Sequence, residues 1–414
     1  MLSTYFDGPV RVRTLRSGPF GAELEGFAEY LGQCGYSRIS ARRHLRSAEH
    51  FTHWARRRTV CVDAADGLAI SKFGDHLLRC RCGRYDCRDR TSIVAGVRLF
   101  VEHLHEAIPI IRSTEPVPLE APLLKSFGDW MRKQRGTTDA TLCNYARPIR
   151  ALIERFGDAP SHLDARGLRE FVLQQSRRTG WAGAKHCTTA LRMFLRFLIA
   201  EGRCPAALLG AIPTLAHWRL SSVPRYLPPE DVERLIASCD VSSPVGLRDR
   251  AILLLLARLG LRAGDIVGLR LKDIDWKNAW ISVCGKGRQQ TRLPLSREVG
   301  RAIVAYLQGG RPPAGTDALF LRTRAPFRAL GSHCAVSMLV GKAIRRAGIH
   351  RPSRGAAHLL RHSLASSMLR QGASLQDIAA VLRHRSVETT QIYAKVDVTA
   401  LMHVAQPWVE VSPC

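Results

Sequence analysis

The chain has 414 residues, which is enough for two or three domains that each bury a core of their own. Its 62 lysines and arginines outnumber its 35 acidic residues and give a formal net charge of +27, so we expect a polyanionic partner, with nucleic acid as the first candidate. A membrane is disfavoured because apolar runs such as residues 251–257 are far too short to span a bilayer. We expect a cytoplasmic protein, since residues 1–18 do not resemble a signal peptide.

Proline-rich stretches at residues 109–122 and 205–229 divide the chain into three predicted domains. We place these domains at residues 1–110, 123–204 and 227–414. Apolar residues recur at helical spacing in the first two domains, which predicts two helical bundles. Phe27-Ala-Glu-Tyr-Leu and Phe127-Gly-Asp-Trp-Met begin a series of similar segments in the same order, which indicates a bundle repeated at an interval of about 100 residues. Two unrelated bundles remain the alternative.

A cluster of potential metal ligands lies in the first domain. His76, Cys80, Cys82 and Cys87 occur within a short span, with Cys61 upstream, and four such ligands can hold a structural zinc ion. Their spacing is not one of the familiar paired CxxC patterns. Arginines at positions 81, 84 and 88 make a phosphate-contacting turn the alternative. We assign no metal ligands from the sequence, and most of the twelve scattered cysteines are expected to be reduced.

The third domain mixes helices with a hairpin. Prolines and acids at residues 228–231 precede an apolar face and predict the start of a helix. Residues 280–284 and 290–295 predict a β-hairpin with Lys286 at its tip, between two glycines. Further helices are predicted at residues 247–259, 298–307, 334–347 and 359–371. A capping-box pattern, Ser374-x-x-Asp377, then begins another helix.

The last third of the chain carries an ordered set of reactive side chains. His358, Arg361, His384 and Tyr393 supply two imidazoles, a guanidinium and a phenol. Taken singly, each has a plainer explanation, such as a structural histidine or a core aromatic. Together they supply a nucleophile and cationic phosphate ligands, a combination that favours phosphoryl transfer through tyrosine.

Residues 227–397 resemble the catalytic domain of the tyrosine recombinase (phage integrase) family. The stretch from Gly246 through Arg262 to Ile266 is similar to the first arginine box of that family. Gly285-Lys286-Gly287 is similar to the segment that carries its hairpin lysine. His358-Leu-Leu-Arg361-His362-Ser is similar to the second box. His384 and Tyr393 follow at the usual interval. Residues 123–204 resemble the core-binding domain of the family only in general character.

The resemblance implies that Tyr393 attacks a DNA phosphodiester and becomes joined to the 3′ phosphate. Arg262 and Arg361 are the implied phosphate clamps, because a guanidinium offers two parallel donors and keeps its charge. His358 and His384 are implied to bind the same phosphate, with His358 also transferring protons.

Lys286 is implied to be the general acid that protonates the departing 5′ oxygen. The bond energy stays in the phosphotyrosyl ester, so rejoining requires neither ATP nor metal. No cofactor is therefore expected.

Two positions depart from the family pattern. Arg383 precedes the second histidine, where glycine is usual, and Asp265 replaces the commoner glutamate. The acid at the position of Asp265 is read in the family as orienting the arginine three residues earlier, which here is Arg262. Neither departure removes a catalytic group.

The predicted fold class is mainly α with a small β-sheet: N-terminal helical bundles and an α+β catalytic domain that together form a clamp around double-stranded DNA. The predicted function is site-specific recombination for integration, excision or transposition of a mobile element. The predicted assembly on DNA is a homo- or hetero-oligomer, as a tetramer. A type IB topoisomerase and a non-catalytic DNA-binding protein are the alternatives. Residues 398–405 are expected to form an amphipathic helix that docks on a neighbouring protomer, or else folds back on its own domain.

Overall fold

The computed structural model describes residues 1–60, 62, 65–85, 89–107, 122–157, 162–215, 223–285, 290–350, 355–384, 386–396 and 402. Contacts among Cα atoms divide the chain into two compact units, Met1–Pro109 with Ser222–Cys414, and Ile110–Ser221. The predicted fold class, mainly helical with a small sheet, is confirmed. The separation of residues 1–110 from residues 227–414 as distinct domains stays a prediction. No helix in the described part of the chain has the length and apolar character that crossing a membrane requires.

Six helices lie among the described residues of the N-terminal part of the first unit. They are α1 (Leu2–Tyr5), α2 (Pro9–Arg16), α3 (Gly21–Gln33), α4 (Arg38–Arg57), α5 (Gly67–Leu78) and α6 (Arg90–Ala107). Their core is built around the fully buried rings of Phe27, Phe51, Phe73 and Phe100. Helix α4 begins at a Ser37 cap and carries ten buried residues, so it is the central element of this bundle.

The second unit is a smaller bundle with its own aromatic core. It contains α7 (Pro122–Arg135), α8 (Asp139–Phe156) and α9 (Ala165–Ala200), followed by a 3₁₀ turn at Ala206–Ala211. Gly180 interrupts α9 with a φ of 70°, a conformation that favours glycine. Phe127, Phe171, Phe194 and Phe197 fill the interior.

The C-terminal part of the first unit packs helices around one buried helix. Its helices are α10 (Pro229–Ala237), α11 (Pro244–Arg258), α12 (Ala263–Gly268), α13 (Arg297–Gly309), α14 (His333–Arg346), α15 (Ala356–Arg370) and α16 (Leu375–Leu382). Residues 251–256, in the middle of α11, are completely buried, which explains the long apolar run in the sequence.

The sheet has three antiparallel strands in the order β1 (Ile274–Asp275), β2 (Trp280–Cys284) and β3 (Gln290–Pro294). Ile281 of β2 pairs with Leu293 of β3, and both side chains face the core. The predicted strands of the hairpin are confirmed, as is the capping box at Ser374 and Asp377. The sequence patterns do not indicate strand β1 or helix α12.

Candidate active site

Helix α15 carries the second arginine box. It begins after Gly355, which has a φ of 79°. Arg361 lies one turn inside the helix and is only 4% exposed, whereas His358, in the first turn, is exposed. The guanidinium of Arg361 donates hydrogen bonds to the carbonyl oxygens of Gly260 and Leu382. Arg361 therefore joins the end of α11 to the end of α16.

Arg262 reaches the same turn from the other side. It precedes α12 as the N-cap residue, and its backbone N–H donates to Asp265 Oδ2 at 2.8 Å. Its guanidinium donates to the carbonyl oxygen of Arg383 at 3.2 Å. Two arginines far apart in the sequence thus bind consecutive carbonyl groups, those of Leu382 and Arg383, immediately before His384.

The turn after α16 positions His384. Arg383 ends the helix in the left-handed conformation, with a φ of 54°. The His384 backbone N–H donates back to Ala379 at 2.9 Å, and its Nδ1 lies 2.8 Å from Thr390 Oγ1. The imidazole is therefore tethered to Thr390, three residues before Tyr393.

Tyr393 lies on a short 3₁₀ helix, Gln391–Val396, and is only 1% exposed. Its ring packs with Leu369, Ile378 and Leu382 in a small cluster. Its hydroxyl lies 2.8 Å from Nδ1 of His362, the residue next to Arg361 on α15. The phenol is thus adjacent to the arginine cluster but covered. Lys286 lies outside the described residues. Residues 398–405 do as well, except for Met402.

Comparison with known proteins shows which family the chain belongs to. Residues 225–399 match the model of the phage integrase family. A protein of Sinorhizobium fredii, y4rA, named as an integrase/recombinase, is 37% identical over 94% of this chain and 95% of its own length. The chain belongs to the phage integrase, or tyrosine recombinase, family.

Other members agree at greater distance. Tyrosine recombinase XerD of Lacticaseibacillus casei is 27% identical over 69% of this chain and 98% of its own. The solved structure of the XerH site-specific recombinase bound to palindromic difH substrate has a TM-score of 0.56 and 21% identity. It covers 83% of this chain and 96% of that one, so it has the same fold. The chain is accordingly a recombinase of the site-specific class.

One contact in this tyrosine recombinase differs from the expectation for Asp265. The Asp265 carboxylate binds the backbone of Arg262, but its ion pair is with the guanidinium of Arg383. Both of these side chains are buried, at 6% and 8% exposure. The left-handed turn brings Arg383 inward, and the short Asp265 side chain already accepts the N–H of Arg262. The sequence signal for this ion pair is that both partners depart from the family pattern. Arg383 replaces the usual glycine, and Asp265 replaces the longer glutamate.

Burial and mutual repulsion depress the basicity of the site. Burial, reinforced by Arg262 and Arg383, lowers the pKa of Arg361 to about 10, so the guanidinium stays charged at neutral pH. Burial lowers the pKa of Arg262 as well. The pKa of His384 falls to about 4, through burial and then through the positive charges of Arg361 and Arg262. An anion placed here would relieve these repulsions, which is what a phosphate-binding site requires.

The nucleophile candidate is not activated in this arrangement. Burial raises the pKa of Tyr393 to about 12, although Arg361 opposes the shift. Burial also lowers the pKa of His362 to about 4, with smaller contributions from His358 and Arg361. At neutral pH the phenol is therefore protonated and donates to an uncharged imidazole. A base this weak cannot take the proton efficiently, so the contact with His362 holds the phenol in place.

Proposed function

We propose that this recombinase cleaves and rejoins DNA through a phosphotyrosyl bond at Tyr393. The phenolic oxygen attacks the scissile phosphorus, the bond from phosphorus to the 5′ oxygen breaks, and the strand remains attached through its 3′ phosphate. Reversal of the step by a 5′ hydroxyl rejoins DNA with no external energy, because the ester conserves the bond energy. The supporting observation is the convergence of Arg262, Arg361 and the His384 turn beside the tyrosine helix.

Arg262 and Arg361 supply the positive charge that the transition state needs. Negative charge grows on the non-bridging oxygens during attack, so preorganised cations contribute most of the rate enhancement. Both guanidinium groups are held in position by backbone carbonyls. His358 and His384 add hydrogen bonds to the phosphate. His358 also accepts the proton that the phenol loses, and Lys286 donates a proton to the departing 5′ oxygen.

Arg383 is a third guanidinium in this site and part of the proposal. Asp265 occupies one of its nitrogens, Nη2, while Nε and Nη1 are buried without a hydrogen-bond partner among the described residues. A buried donor that lacks an acceptor costs about 1 to 3 kcal/mol. Once DNA binding opens the site, a phosphate oxygen would satisfy these donors, so we assign Arg383 to phosphate binding.

Cleavage requires Tyr393 to leave its pocket. A hydroxyl that is covered and protonated, with a pKa of about 12, cannot meet a phosphodiester in solution. Release of the helix at Gln391–Val396 would break the hydrogen bond to His362 and move the phenol towards the arginines. We propose that DNA binding and assembly of subunits drive this release. Double-stranded DNA and further copies of a recombinase are the partners that this mechanism implies.

A trapping experiment tests the proposal. The full chain is incubated with nicked duplexes that span each end of the DNA element carrying its gene, so that the short fragment released by cleavage is lost and the covalent adduct accumulates. Wild type should give an adduct that resists denaturation, and Tyr393→Phe should give none while binding the duplex with similar affinity. Tyr226→Phe is the matched control, because Tyr226 stacks under Arg370 at 5.4 Å and phenylalanine keeps that contact.

An adduct formed by Tyr393→Phe would overturn the assignment of the nucleophile. Relaxation of any supercoiled plasmid without strand exchange would instead support a topoisomerase-like activity. Binding without an adduct from wild type on either element end would support a non-catalytic DNA-binding role.

A further inference from the structure

Four metal-ligating side chains meet in the N-terminal bundle, away from the candidate active site. His50 lies in the middle of α4, His76 in the last turn of α5, and Cys80 and Cys82 in the segment that follows α5. One ligand atom from each lies within 4.8 Å of all the others. The sequence spacing indicates His76, Cys80 and Cys82 as possible zinc ligands, whereas it gives no sign of His50. Cys61 and Cys87 lie outside the described residues.

Two distances between nitrogen and sulfur in the cluster are close to those of a tetrahedral zinc site. His50 Nε2 lies 3.5 Å from Cys80 Sγ, and His76 Nε2 lies 3.8 Å from Cys82 Sγ. Zinc bonds of about 2.3 Å to sulfur and about 2.0 Å to nitrogen place N and S about 3.5 Å apart at tetrahedral angles. We infer that His50, His76, Cys80 and Cys82 form a structural zinc site.

The ligand set favours zinc over other ions. Two thiolates and two imidazoles are soft to borderline donors, which suit zinc and exclude magnesium or calcium. Two thiolates also neutralise the charge of the ion, and each thiol releases its proton to solvent as the metal binds. Four protein ligands complete a tetrahedron and leave no open position, so the site is structural rather than catalytic.

The surroundings of the cluster support the same conclusion. The ring of Tyr85 stacks on His50 with centroids 4.4 Å apart, and the Cys82 backbone N–H donates to Cys80 Sγ at 3.4 Å. Arg84 lies 3.8 Å from the carboxylate of Glu49, a neighbour of His50. That ion pair links the segment after α5 to α4, although the Arg84 side chain is 59% exposed.

A metal also explains how this segment can be ordered. Residues 79–84 read Arg-Cys-Arg-Cys-Gly-Arg and offer no large apolar side chain to bury. The hydrophobic effect therefore cannot offset the entropy lost when the segment is fixed. A zinc ion would tether it to the buried His50 of α4 and so fix the connection between α5 and α6.

The test is metal analysis of the full chain, produced without a polyhistidine tag and reconstituted with zinc before dialysis. Wild type should retain about one zinc per chain. Cys80→Ser/Cys82→Ser and His50→Asn should each lose it. Cys334→Ser and His53→Asn are matched controls, because both residues are exposed and lie outside the cluster, and they should retain the metal.

Two further measurements cover variants that fail to fold. Cobalt added to the wild-type apoprotein should give the visible absorption of a tetrahedral site with thiolate ligands. Removal of zinc by a chelator should speed amide hydrogen exchange in residues 79–85 at least tenfold. The exchange rates of amides in α15 should stay unchanged. Retention of less than a tenth of an equivalent of zinc by wild type, or equal retention by Cys80→Ser/Cys82→Ser, would overturn the inference. None of these readouts depends on DNA cleavage, so failure here leaves the proposed function untouched.

Discussion

The buried pair of Asp265 and Arg383 predicts a large coupling free energy in the site. Asp265→Asn leaves the guanidinium of Arg383 buried without its counter-ion, which costs about 3 to 5 kcal/mol for pairs of this kind. Arg383→Gly leaves the carboxylate unpaired at a similar cost, but it also relieves about 1 kcal/mol of left-handed backbone strain. The net destabilisation by Arg383→Gly should therefore be about 2 to 4 kcal/mol.

The double variant Asp265→Asn/Arg383→Gly contains neither buried charge of the pair. Its destabilisation should fall below the sum of the single variants by about 3 kcal/mol. We expect this coupling in the opening free energies of α12 and α16, measured by native-state hydrogen exchange, which reports on each element separately in a chain of several units.

Asp377→Asn is the control for the cap, because Asp377 occupies the same third position of a capping box on α16 but is exposed and forms no ion pair among the described residues. It should cost only about 1 kcal/mol. Additivity of the Asp265 and Arg383 variants within about 0.5 kcal/mol would refute the reasoning, since only an exposed pair couples so weakly.

Three other expectations follow from the charges and contacts of the chain. His362 has a folded pKa of about 4, below its ordinary value of 6.5, so the unfolded chain binds a proton that the folded chain excludes between those values, and stability falls as pH falls. In His362→Asn, the opening free energy of α15 should therefore fall less steeply between pH 6.5 and pH 4, by up to about 1.4 kcal/mol per pH unit. If hydrogen exchange shows the same pH dependence of this free energy in the variant and in wild type, the buried neutral imidazole is contradicted. DNA affinity should fall by about 10³-fold or more between 50 and 200 mM salt, because a chain with a net charge of +27 displaces many counterions, and a flat titration by fluorescence anisotropy would count against DNA as the partner. Truncation after Asp397 should preserve DNA binding but abolish strand exchange by the purified protein, whereas normal recombination by the truncated chain would remove the docking role of residues 398–405.

The sequence was sufficient for the regular elements because their patterns are local. The apolar run of α11, the alternation in β2 and β3, and the Ser374 cap each depend on residues close together in the chain. Strand β1 has two residues and α12 has six, so neither is long enough to show a period. The order of the arginine boxes, His384 and Tyr393 was also visible, since it is a property of the linear chain.

Contacts between segments far apart in the chain could not be predicted from local sequence patterns. The ion pair of Asp265 with Arg383 depends on a left-handed turn at the end of α16, and arginine gives little warning of that conformation. The contact of His362 with Tyr393 requires the packing of α15 against the final 3₁₀ helix. In the sequence, nothing distinguishes His50 from an ordinary helical residue. The structure shows that the segment after α5 brings the thiols of Cys80 and Cys82 close to it.

The residue that becomes joined to DNA tests the central claim most directly. Tryptic cleavage of the trapped adduct after Arg385 and Lys395 releases residues 386–395, in which Tyr393 is the only tyrosine. After nuclease digestion, mass spectrometry should find this peptide carrying a nucleotide through its 3′ phosphate on Tyr393. A nucleotide on any other residue, or a linkage through a 5′ phosphate, would contradict the account.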